Sequence, residues 1–466
     1  MLLAIARAYA ACGIHVHFVH AFSCELVPKL RDWIMALFAE VGATMSLTEG
    51  CVFERAEEMG NKKAKCSRHD RHCEVPDSDV TIAGTSCKDF SRSTGHSHTE
   101  RATVLEGATS AGGSAQTFHG LIGYLLHHLV TLLLFENVDT LDEAPDDHDG
   151  GGGIMTLLAD VCQRFQGAGL STVAMLTDPQ LFGLPTERRR LYVLGANPLS
   201  PLFRRDAQSL MQKALAHVLE LMRLCERTPP CVTSVLCCQQ DDCVEAELAK
   251  RMAAGVKMGE YNVAPSIAHH TGRGSRWGDM TVLPEDTKQS PWYKTLSPSQ
   301  KNSLLFSYTE KPDCIMRDIN QSLSRIRYSK VATGSYDRHL APCLMPSQVV
   351  WLAGHGPGQG PRLLLGREAL RIQGYPEARV PQLIGKTPEA TMMSIAGNMM
   401  SATVPLAILM AAFAALPWAS EDSIAPSTTA AQCDDAMSLF AMVADGEGKD
   451  ETPAEPSRAK KKRMLC

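Results

Sequence analysis

The feature that most constrains this chain is the alternation of short apolar runs with amphipathic stretches through its first half. Ile14 to Phe22 (IHVHFVHAF) reads as a strand and Val27 to Val41 as an amphipathic helix. Asp79 to Gly84 (DVTIAG) is a short apolar run closed by glycine, hence a strand. A helix over His119 to Val130, a strand over Thr131 to Phe135 and a helix over Ile154 to Phe165 follow. Ser171 to Met175 and Leu191 to Gly195 complete the set as strands. Strands alternating with helices predict a doubly wound α/β sheet that is mostly parallel, with ligands at the carboxyl ends of its strands.

From about Pro198 the pattern weakens. A helix is expected at Asp206 to Cys225, followed by polar sequence rich in Gly, Ser and Pro up to Pro342. We read a core over 1–197, a small inserted domain over 198–342 and the return of the core over 343–417. A disordered tail over 418–466 is expected from its acidic, small-residue composition. The run AKKKR near its end, with Lys460 to Arg463, reads as a nuclear localisation signal or as a solvated charge run. The expected compartment is the nucleus, otherwise the cytoplasm. No apolar run reaches the roughly 20 residues that cross a bilayer, so no membrane partner is expected. Sixteen cysteines thinly spread over 466 residues suit a reducing compartment rather than a disulfide scaffold. A net charge of -5 argues against a non-specific nucleic-acid coat but leaves room for local basic patches.

Five segments could carry chemistry. In GTSCKDFS (Gly84 to Ser91), Cys87 follows a strand and a glycine turn, at the mouth of the sheet. A free cysteine of this kind is otherwise a small buried hydrophobe. In FENV (Phe135 to Val138), Glu136 and Asn137 follow an apolar strand, as ordinary polar residues leaving a strand also do. In FGLPTERRRLYVLG (Phe182 to Gly195), Arg188 and Arg190 alternate before a strand and could point to one place, or be solvated charge. LGREALRIQGYP (Leu365 to Pro376) is a helix closed by Gly374 and Pro376. IAGNMMSATVPLAILMAAFAAL (Ile395 to Leu416) is a Gly-Asn turn opening a long apolar helix.

In this order and spacing the five segments resemble the signature blocks of the cytosine-5 DNA methyltransferase family: PC with a short loop, ENV, QxRxR, REAxRLQGFP and GNxVP. The resemblance covers nearly the whole chain up to Leu416. It implies a Rossmann-like S-adenosylmethionine-dependent methyltransferase sheet with an inserted target-recognition domain. It implies Cys87 as the thiolate that adds to carbon 6 of a flipped cytosine, making carbon 5 an enamine nucleophile. Glu136 matches the residue that holds a proton at ring N3, and Arg188 and Arg190 match the basic pair that supports the base. S-adenosylmethionine is the implied donor, with Glu25 of FSCE (Phe22 to Glu25) at its ribose and Gly397 and Asn398 closing its pocket. A carboxylate at a helix N-terminus is the other reading of Glu25. The implied partner is double-stranded DNA. Ser86 stands where most members have proline, which leaves RNA open as a substrate and resembles a divergent eukaryotic branch.

The chain departs from the family in several places. The family's first block, a strand ending in FxGxG, has no counterpart, so the first strand is expected to be missing from this sequence. A sequence continuing upstream of Met1 is the simplest explanation and a decayed copy the second. A catalytically silent nucleic-acid-binding or interaction module is therefore the reading from another functional class. Thr186 replaces the first residue of QxRxR. In VFERAEEM (Val52 to Met59), Glu54 or Arg55 takes the position of an acidic adenine contact, depending on register. CSRHDRHC (Cys66 to Cys73) holds zinc-type ligands, but they are crowded and lack a matching pair, so a loop without metal is expected. Cys237, Cys238 and Cys243 also lack a regular ligand spacing.

Overall fold

The structure is a computed structural model that describes residues 18–45, 50–91, 97–106, 113–143, 156–256, 283–321, 326–332, 338–354, 360–375, 377 and 380–419. The basic run at Lys460 to Arg463 and the expected tail beyond 419 lie outside them. The chain divides into two compact units, 1–178 with 189–226 and 402–466, and 179–188 with 227–401.

In the first unit, β1 (Phe22–Cys24) pairs in parallel with β2 (Cys51–Phe53) across helix α1 (Pro28–Met45). The antiparallel hairpin of β3 (Lys63–Cys66) and β4 (Arg71–Glu74) extends this sheet. A second sheet runs β5 (Ser78–Gly84), β6 (Val130–Val138), β8 (Arg190–Ala196) and β7 (Ser171–Thr177), in that spatial order. β5 and β6 are parallel, and β8 is antiparallel to both β6 and β7, so three of these four strands run the same way. The single sheet expected from the sequence is thus two sheets among the described residues, with β1 and β5 as end strands.

β6 shows why the second sheet needs helices on both faces. Leu133 and Phe135 join a core with Phe118 of α3 (Ser114–His127) and Phe165 of α4 (Leu157–Gly167). Leu132 and Leu134, which point the other way in a pleated strand, are equally buried. Alternate residues of one strand cannot both be covered unless each face is packed, which is the doubly wound arrangement. Helix α5 (Ala207–Leu224) packs on β7 and on α10 (Thr403–Ala415). It therefore belongs to the first unit, and the boundary expected at 198 falls at 227.

The second unit is held by a core of its own around Trp292, Leu304, Tyr308, Trp351 and Leu363. A three-stranded antiparallel sheet sets β10 (Val350–Leu352) between β9 (Met316–Asp318) and β11 (Arg362–Leu363). The guanidinium of Arg317 lies over the Tyr308 ring at 3.8 Å and donates to the carbonyls of Lys311 and Pro312. Helix α8 (Gly366–Ile372) ends as expected at Gly374, whose φ of 77° lets Tyr375 N–H turn back to the Leu370 carbonyl. The long helix expected over 395–416 is two helices, α9 (Glu389–Asn398) and α10. Pro405 explains the restart, because a proline is accommodated in the first turn of a helix and breaks its interior.

Candidate active site

Cys87 lies three residues beyond the end of β5, in a turn whose Cys87 carbonyl accepts from Phe90 and Ser91 N–H at 3.1 and 3.0 Å. The turn is latched to the start of α3. Asp89 N–H donates to Ser114 Oγ, and Ser114 N–H donates back to Asp89 Oδ2, both at 3.1 Å. Ser86 N–H donates to Thr117 Oγ1 at 3.0 Å. Side-chain oxygens thus satisfy N–H groups of a helix start and of an irregular turn. The half-buried Cys87 is thereby held at the carboxyl end of the sheet.

Glu136 sits on the neighbouring strand. Gly84 pairs with Glu136 in parallel register, so the cysteine turn leaves the sheet beside it. The expected strand end at Phe135 is too early: Glu136 and Asn137 continue the ladder, opposite Tyr192 and Leu191 of β8. Arg190, the first residue of β8, brings Nε to 3.2 Å from Glu136 Oε1, and both side chains are largely buried. Asn137 Nδ2 donates to Thr85 Oγ1 at 3.1 Å, joining the strand of the acid to the turn of the thiol. Cys87, Glu136 and Arg190 therefore share one end of one sheet.

Arg188 has other partners. It belongs to the second unit, where it is buried and donates to the carbonyls of Leu344, Gly397 and Met399 at 3.0, 3.2 and 3.1 Å. Of the two arginines, Arg190 meets the acid and Arg188 ties backbone segments of the second unit together. Gly397 is part of the same knot, because a Cβ there would stand 2.2 Å from Pro346 N. Its lack of a side chain serves close packing. Asn398 is exposed at the end of α9, with Nδ2 donating to the Ser394 carbonyl.

Glu25 directly follows β1 and is half-buried. Its Oε1 accepts from Val27 N–H at 2.8 Å near the start of α1, so the helix-start reading holds for one of its two oxygens. Glu54, the first residue after β2, accepts from Ser67 Oγ at 2.9 Å. Cys24, beside Glu25, is a poor nucleophile: burial, then the charges of Glu25 and Glu57, push its thiol up to about 12. The latch residues Asp89, Ser114 and Thr117 escaped the sequence reading; the only hint was a polar cluster ahead of a helical pattern. CSRHDRHC, expected to be a loop, is the β3–β4 hairpin, and the fold brings Cys51 to it from 15 residues upstream of Cys66.

Ser114→Ala checks the latch. Losing the hydroxyl should cost about 1 kcal/mol in urea unfolding. The misplaced thiol should slow the chemical step roughly 10- to 100-fold in single-turnover assays.

A thiol, an acid and a guanidinium meet at one end of an α/β sheet, a set of groups suited to covalent, acid-assisted chemistry. The chain belongs to the family of C-5 cytosine-specific DNA methylases, whose model matches residues 55–412. It is 26% identical over 426 residues to the DNA (cytosine-5-)-methyltransferase DMT5 of Cryptococcus neoformans var. grubii, an alignment covering 86% of this chain. The chain spans 16% of the length of that relative. Among solved structures it is similar to a putative DNA modification methyltransferase encoded within an E. coli prophage, at 13% identity and a TM-score of 0.41, covering 89% of this chain and 96% of the other. It is also similar to the Dnmt2 methyltransferase of S. pombe, at 12% identity and a TM-score of 0.38, covering 85% and 97%.

Proposed function

We propose that this chain methylates carbon 5 of cytosine in double-stranded DNA, with Cys87 as nucleophile, Glu136 as the acid and Arg190 as the residue that orients the acid. The observation that carries the reading is the placement of the latched Cys87 turn beside the Glu136–Arg190 pair. Cys87 Sγ forms a bond to carbon 6 as the electrons of the 5,6 double bond shift toward N3, where Glu136 holds a proton. Carbon 5 is then nucleophilic and takes the methyl group. Loss of the carbon 5 proton expels Cys87 and restores the ring. Both faces of the base are needed, so the cytosine is flipped from the duplex at a cost of a few kcal/mol.

S-adenosylmethionine supplies the methyl group as an activated sulfonium when bound. The half-buried Glu25 carboxylate fits its ribose hydroxyls, since Oε2 makes no hydrogen bond among the described residues. The second unit, with its own core, is the candidate grip on DNA.

Side-by-side incubation of the full-length protein with labelled donor, unmethylated duplex DNA and unmodified transfer RNA tests the substrate. Label is expected in DNA. Label in transfer RNA alone would replace DNA by RNA, and label in neither would favour a silent binding module. Glu136→Gln should lower the rate of the chemical step by about 10²- to 10⁴-fold, read in a single-turnover experiment.

A further inference from the structure

The sulfurs of Cys51, Cys66 and Cys73 and a ring nitrogen of His69 lie within 4.8 Å of one another. Cys51 opens β2, Cys66 ends β3, His69 lies in the hairpin turn and Cys73 is on β4. His69 Nδ1 is 3.7 Å from Cys51 Sγ, 3.5 Å from Cys66 Sγ and 3.4 Å from Cys73 Sγ. Tetrahedral zinc with Zn–S of about 2.3 Å and Zn–N of about 2.0 Å sets its sulfur and nitrogen ligands about 3.5 Å apart. All three observed separations fall within a few tenths of that value. None of the three cysteines is in a disulfide.

We propose that Cys51, Cys66, His69 and Cys73 bind one zinc ion that staples the β3–β4 hairpin to β2. Three thiolates and one imidazole form a closed set of four protein ligands, which is the structural rather than the catalytic type of zinc site. Sulfur-rich tetrahedral ligation selects zinc over hard cations such as magnesium and calcium. Binding releases the three thiol protons to solvent and involves no change of oxidation state.

The local structure is built for such a cluster. Asp70 takes a left-handed conformation, with φ of 48°, and pairs with Lys65 at 2.7 Å. This closes the turn that carries His69 toward the thiols. The hairpin also needs a staple. β4 is mostly exposed, and β3 meets β2 at the single register pair Phe53–Cys66. A hairpin with so little apolar cover is marginal by itself.

The test is metal analysis of the full-length protein purified reduced and zinc-replete. Cys66→Ser and Cys73→Ser should each carry one zinc per chain fewer than the parent, and Cys162→Ser, elsewhere in the same unit, should lose none. Should the serine variants fail to fold, His69→Cys keeps four ligands. It should retain the metal, and its cobalt-substituted form should show thiolate-to-cobalt absorption raised by about a third, from three thiolates to four. Equal zinc in the parent and both serine variants would overturn the site. So would an unchanged cobalt spectrum in His69→Cys, or an intact mass two hydrogens light from a disulfide among the three cysteines.

Discussion

Cys87→Ser is expected to lower methyl transfer to duplex DNA by at least about 10³-fold while leaving the fold intact. The substitution exchanges sulfur for oxygen at a half-buried turn position and disturbs none of the backbone bonds that latch the turn. It replaces a thiol, whose thiolate is the attacking species, by a hydroxyl, which is far less acidic and a weaker nucleophile. A methyl-transfer assay at saturating donor reads the effect, and thermal unfolding shows whether the fold survives. Serine activity within about tenfold of the parent would mean that another group attacks the ring. Cys24 is no substitute, given its buried thiol at about 12.

The second large effect is on stability. Glu368→Ala should destabilise the second unit by about 3–5 kcal/mol. Glu368 and Arg362 are fully buried and meet through two bonds, Nη2 to Oε1 at 2.6 Å and Nη1 to Oε2 at 2.8 Å. The carboxylate also accepts from Cys237 and Leu365 N–H. Truncation leaves a guanidinium in the interior without its counter-charge and orphans two backbone donors. Urea unfolding followed by Trp292 and Trp351 fluorescence measures the loss, because both indoles lie in the core of that unit. Replacing both partners by apolar residues, Arg362→Met with Glu368→Leu, should recover the part of it that comes from the unpaired guanidinium, leaving the cost of the two backbone donors. A single-variant loss below about 1 kcal/mol would show that the pair is not buried as described.

These two residues illustrate what the chain reveals before it folds. Cys87 was legible because a strand, a glycine turn and a thiol are contiguous, and the strand's apolar run needs no partner to be recognised. Glu136 was legible too, although its strand runs on to Val138 because β8 offers a ladder partner that local sequence does not announce. Glu368 was visible only as part of the REALR segment; its partner Arg362 is set by packing in the second unit. Arg188 and Arg190 looked equivalent from their spacing, yet Arg190 starts a strand and meets an acid while Arg188 meets three carbonyls. Helix α5 showed an amphipathic face, but periodicity does not say which face it will cover, so its unit was misjudged. Cys51 escaped notice for the same reason: ligand spacing along the chain is uninformative when strand pairing sets the distance.

The central claim is the covalent bond between Cys87 and cytosine carbon 6. Incubating the full-length protein with S-adenosylmethionine and a duplex carrying 5-fluorocytosine tests it most directly, because fluorine at carbon 5 cannot leave as a proton does. The parent is predicted to form an adduct that survives denaturation, with peptide mapping placing it on Cys87 and Cys87→Ser forming none. An adduct that persists in Cys87→Ser, or one mapped to another residue, would contradict the account.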